Sequence, residues 1–83
     1  MDASGVSAIL RDGDMLFVGT GRGGVNRVDL GTGAVTAVQH DPRRRDSLPD
    51  DAIWDMADTG DGRLMLATSG GLARLSKDKL RAE

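Results

Sequence analysis

The amino-acid sequence predicts an all-β fold from three observations: short apolar runs of strand length, glycine-rich punctuation between them, and an internal repeat. Residues 14–30, DMLFVGTGRGGVNRVDL, return as residues 63–76, RLMLATSGGLARLS, with the small and apolar positions in step. Leu16 and Thr20 recur 48 positions later as Leu64 and Thr68, whereas Gly23 and Gly24 recur 47 positions later as Gly70 and Gly71. One residue of slippage inside a turn accounts for the difference. Upstream, GVSAILRDGD matches DAIWDMADTGDG and sets Val6 against Ile53. A period in the high forties, made of short strands and tight turns, belongs to propellers and related arrays. The chain therefore reads as two β-propeller blades of something larger.

Each strand follows from its local composition. The first unit supplies runs with strand character at 6–11, 14–19, 24–30 and 34–39. Asp12-Gly13, Gly21 to Gly23 and Gly31-Thr32-Gly33 separate them, and each supplies the positive φ that tight reversals need. Three consecutive hairpins make a four-stranded meander. The second run, MLFV, is apolar on both faces, as is its counterpart LML, which suits a strand covered on both sides by neighbouring blades. The second unit supplies 52–57, 63–68 and 71–76, and then becomes KDKLRAE. That tail suits a helix end as well as a strand, so the last strand of the second blade is expected to be incomplete. Between the units, HDPRRRDSLPDD reads as an exposed connection. The expected division is 1–46 for the first blade with its connection and 47–83 for the second.

Composition narrows the function classes. A domain of 83 residues buries only roughly 60% of its unfolded surface. With no cysteine and one histidine, His40, neither disulfides nor a structural metal can compensate. A net charge of -2, from 11 basic and 13 acidic residues, disfavours nucleic acid as the main partner. The longest apolar stretches, 15–18 and 64–67, fall far short of a membrane span or signal-peptide core, so no membrane contact is expected of this segment. The absence of cysteine fits cytoplasm and periplasm alike. Two blades alone would leave apolar strands facing water, and repeat architectures need about three or more units. The expected partners are therefore other copies of the chain, closing a ring by a heterologous interface, unless the chain is a segment of a longer propeller.

The segments VSAILRDGDMLFVGTGRGGVNRVD, HDPRRRDSLPDDAIWDM and TGDGRLMLATSGGLARLS together resemble the two-component regulator propeller repeat, found in extracytoplasmic sensors of bacterial hybrid histidine kinases and some diguanylate cyclases. The resemblance rests on Gly-Thr, a Gly-Gly pair, a Ser-Leu-Pro connection and an Asp-x-Gly turn in this order. It implies a sensor module, usually periplasmic in that family. The family usually carries tryptophan in the second strand, where this chain has Phe17 and Met65, and an aromatic in the third, where it has Val28 and Leu75. Ala67 also stands where the first copy has Gly19.

Several motifs read as structure. Gly19 to Gly24 matches G-x-G-x-x-G, but a strand follows where a dinucleotide site needs a helix N-terminus. Asp58 to Gly62 and Asp12 to Asp14 lack the ligand pattern of an EF-hand and read as hairpin turns. The run Arg43 to Arg45 is bracketed by Asp41, Asp46, Asp50 and Asp51, as in a solvated loop. Trp54, beside Ile53 and Met56, reads first as packing and second as a stacking surface for a sugar.

In a four-stranded blade, the turns between second and third strands share one rim with the links between blades. Arg22, Arg44, Asp51, Trp54 and Asp55 gather there and are the candidate ligand-binding residues, for a small polar or glycan ligand. No nucleophile, base and orienting group converge, so no catalytic residue, metal or cofactor is expected. The reading is a non-catalytic propeller repeat module, acting in recognition or self-assembly. The alternatives are a propeller-fold lyase or hydrolase with a site at the central mouth, and a purely structural scaffold.

Overall fold

The computed structural model describes residues 5–82. They form seven strands: β1 (Val6–Asp12), β2 (Met15–Thr20), β3 (Val25–Asp29), β4 (Val35–Val38), β5 (Ile53–Asp58), β6 (Arg63–Thr68) and β7 (Gly71–Ser76). β1 to β4 make one antiparallel sheet in sequence order, and β5 to β7 make a second. The described residues thus form two open antiparallel sheets and no closed ring.

The repeat seen in the sequence is also a repeat of register. Ile9 pairs with Val18 as Met56 pairs with Leu66, and Leu16 pairs with Val28 as Leu64 pairs with Leu75. Both sheets carry an irregularity at the same place, between Val6 and Ala8 and between Ile53 and Asp55, which makes Ser7 and Trp54 equivalent. The turn chemistry repeats too. Thr20 Oγ1 accepts from Gly23 N and donates to Gly24 O, while Thr68 Oγ1 accepts from Gly70 N and donates to Gly71 O. The slippage lies in these turns. Three residues separate Thr20 from Gly24 where two separate Thr68 from Gly71, and two separate Asp12 from its partner Met15 where three separate Thr59 from Arg63.

Glycine is obligatory at Gly24, where φ is +73° and a Cβ would sit 2.3 Å from the Val38 carbonyl oxygen. At Gly19 the reason is close approach: a Cβ there would lie 2.8 Å from Ile53 Cγ2 and 3.6 Å from Met56 Cε. The sheets meet at this point. Phe17, Gly19 and Val25 share the face of the first sheet turned to the second, which answers with Ile53, Met56, Leu64, Leu66 and Leu75. Leu48 from the connection and Leu80 from the C-terminal turn complete the core. Leu80 takes a left-handed conformation, φ 52°, an uncommon one for a non-glycine residue. Among the described residues, Asn26 Nδ2 is buried without a hydrogen-bond partner.

Polar contacts lock the two sheets together. Ser7 Oγ bonds the carbonyls of Gly19 and Ile53. Arg27 Nη1 donates to the carbonyls of Lys77 and Asp78 at 2.8 and 3.0 Å. Lys77 Nζ bridges Asp12 of the first sheet at 2.8 Å and Asp58 of the second at 2.6 Å. The Asp12 hydrogen bond, then that of Asp58, holds the Lys77 ammonium above its ordinary value. Lys77, followed by the Gly60 N–H, holds the Asp58 carboxyl below its own.

The tail after β7 completes the second sheet only in part, and the expectation for β6 needs correction. The tail after β7 is neither helix nor full strand: a turn over 77–79 leads to one bridge, Leu75 to Ala82. That bridge matches the Val28–Val35 pair of the first sheet, 47 residues earlier. The central strands also differ. β2 is buried on both faces from Phe17 to Thr20, but β6 alternates, with Leu64 and Leu66 buried and Met65 exposed. Met65 points away from the first sheet.

Filling the space at Gly19 should be costly, since overpacking a tight core costs ~1–3 kcal/mol. Gly19→Val is expected to lower the denaturant midpoint, and Ile53→Ala in the same chain to recover part of the loss relative to the two separate changes. The Lys77 bridge gives a pH signature. Its Asp58 part is present above the ordinary carboxyl value of 3.8 and is lost as pH falls through the lower folded value. Its Lys77 part is full below 10.5 and is lost as pH rises through the raised folded value. The melting-temperature difference between the wild type and Lys77→Met should be largest between these limits and should close outside them.

Candidate functional site

The rim expected from topology is present as a set of linked turns. Gly24 N donates to Asp51 O at 2.9 Å, which ties the β2–β3 turn to the end of the connection. Ser69 N donates to Ala52 O at 3.1 Å, tying in the β6–β7 turn. The connection is held by its own side chains. His40 N donates to Asp51 Oδ1 at 2.6 Å, Arg43 N to Asp41 Oδ1 at 2.9 Å, and Ala52 N to Asp50 Oδ1 at 3.0 Å. His40 Nδ1 lies 2.6 Å from the Leu48 carbonyl. A carbonyl can only accept, so Nδ1 is the donor in this contact.

A groove of about 710 Å3 lies between β4, the connection and the C-terminal turn. Arg27, Arg43, Arg44, Lys79 and Arg81 line it against the carboxylates of Asp41, Asp46 and Asp78, so cations outnumber anions. Arg44 grips Asp46 in a fork, Nε to Oδ1 at 3.2 Å and Nη2 to Oδ2 at 3.3 Å. Arg81 approaches the same carboxylate at 3.6 Å. The Arg44 hydrogen bond is the main cause that holds the Asp46 carboxyl below its ordinary value, with burial working against it. The fork is exposed, as expected of a solvated loop.

The five candidate residues divide between these features. Arg22 sits exposed on the β2–β3 turn beside the Asp51 segment. Asp51 is half-buried and its carboxylate is engaged by the His40 N–H. Of the five, only Arg44 lines the groove. Asp55 is exposed, its Oδ1 accepting from Met56 N. Trp54 is 65% exposed, although Ile53 beside it is fully buried. The packing reading of Trp54 is therefore not met within one chain. Sequence reasoning passed over Arg27, Lys77 and Arg81, which bind the C-terminal turn to the rest. One signal could have found the first of them: Arg27 recurs in register as Arg74, 47 residues later.

No family model matches the sequence, and no curated protein matches it. Among solved structures, the chain is similar to the extracellular domain of the hybrid two component system BT3049 from B. thetaiotaomicron, with a TM-score of 0.84 over 94% of its length at 17% identity. The match takes in 11% of that chain, so this chain spans a small part of its structural neighbour. The likeness is one of fold.

Proposed function

We propose that the chain is a non-catalytic β-propeller repeat module of the sensor type, whose copies assemble into a ring and whose rim recognises a small polar or glycan ligand. The observation that carries this reading is the register-true repeat of two meanders in a fold shared with the extracellular part of a hybrid two component system. The turns and connection gathered at one rim by the Gly24–Asp51 and Ser69–Ala52 bonds support recognition there, since loops on a rigid scaffold commonly carry it. The surplus of cations in the groove favours an acidic ligand over a neutral one.

Two measurements test the reading. Light scattering after size exclusion should give a discrete trimer or tetramer, that is, six or eight sheets in a ring; a stable monomer would overturn the ring. Titration calorimetry with acidic oligosaccharides should give saturable heats that Arg44→Ala weakens by about tenfold, the scale of a charge-assisted hydrogen bond. Equal affinity in Arg22→Ala, Arg44→Ala and Asp51→Ala would remove the rim as the recognition surface.

A further inference from the structure

The repeat sorts every interface residue into one of two faces. Within the chain, the Phe17–Gly19–Val25 face of the first sheet packs on the Leu64–Leu66–Leu75 face of the second. Register equivalence then identifies the two faces left over. Phe17, Gly19 and Val25 correspond to Met65, Ala67 and Leu72, and Leu64, Leu66 and Leu75 correspond to Leu16, Val18 and Val28. The first set lies on the outer face of the second sheet and the second set on the outer face of the first. The two faces left over are thus the complementary halves of an interface that the molecule already contains once.

Exposure marks the difference. Val25 is fully buried, whereas its equivalent Leu72 is 75% exposed; Met56 is 9% exposed, whereas its equivalent Ile9 is 63% exposed. Val18 and Asn26 at the centre of the first sheet's outer face are already buried, with Ile9, Leu16, Val28 and Val35 around them still open in whole or part. We propose that the outer face of the second sheet, Trp54, Met65, Ala67 and Leu72, docks on the outer face of the first sheet of a second copy, in the geometry that joins the two sheets within one chain.

Three details fit this occupant. The tightest contact of the internal interface is Gly19 against Ile53, and its counterpart is Ala67 against Val6. The methyl gained at Ala67 is offset by the carbon lost from isoleucine to valine, so the pair keeps its volume. Arg27 bonds the carbonyls of residues 77 and 78; its equivalent Arg74, exposed on the open face, would meet the carbonyls of Leu30 and Gly31 in the second copy. Ser7, whose hydroxyl bridges the sheets, is replaced by Trp54, an apolar ring with an N–H donor at the same place on the open face. The Lys77–Asp12 pair is the one link without a counterpart, since Leu30 and Thr59 stand at those positions.

This inference deepens the ring reading by naming its faces, and the test separates the two. Leu72→Asp spoils one face and Ile9→Asp the other. Both positions are exposed, so circular dichroism should show each variant folded; Arg74→Glu and Val35→Asp serve as second choices for the same faces. Each variant alone is expected to run near the 8.7 kDa monomer, with self-association weakened ~30-fold or more, as for a hot spot. An equimolar mixture should form a one-to-one heterodimer through the two intact faces, and the emission of Trp54, the sole tryptophan, should shift to the blue on mixing. Wild-type open chains together with this heterodimer would overturn the ring and keep the docking. A mixture that stays monomeric, or a variant that assembles alone as the wild type does, would overturn the docking.

Discussion

The approach of β5 to β2 at Gly19 is the constraint from which the rest of the structure follows. Nothing larger than hydrogen fits between that backbone and Ile53 without displacing a branched side chain. The closeness sets the distance between the sheets, and the distance decides which residues can fill the space: Phe17 and Val25 from one side, Leu64, Leu66 and Leu75 from the other. It also brings the polar links into range. Ser7 can reach a carbonyl of the second sheet, and Arg27 can reach the turn after β7, only because the two backbones are this near. Such links are cheap to keep because each donor meets a fixed backbone acceptor and none must bury an unpaired charge.

The strands were legible because each is bounded by residues with a local conformational reason, such as Asp12-Gly13 and the Thr-to-Gly-Gly turns. Those signals act over a few residues and do not wait for tertiary structure. The repeat was legible for the same cause, since Thr20 and Thr68 bind their own turns in the same manner. What failed was inference about burial. MLFV and LML look alike in sequence, yet one strand is covered on both faces and the other on one, because cover depends on what lies beyond the sheet. Trp54 is the sharpest instance: apolar neighbours suggested packing, but the bulge at that position turns it to the outer face.

The rim was partly legible. Topology placed the turns and the connection together, as the Gly24–Asp51 bond bears out at the backbone, but it could not say which side chains face the groove. Arg44 lines it, and Arg81 joins it through a turn whose shape the sequence left open between helix and strand. The charges there hold one another, so the groove is a network in which a ligand would compete with Asp46 for Arg44 and Arg81.

The two turns of unequal length carry a separate implication. One repeat has gained a residue at one rim and lost a residue at the opposite rim, and the paired strands between them have not moved by a single position. Length changes at the edges are absorbed where they occur. The scaffold is therefore modular in the vertical direction: segments can be exchanged, lengthened or trimmed at either rim while the joint between the sheets stays as it is, which leaves the loops free to diversify independently of the core.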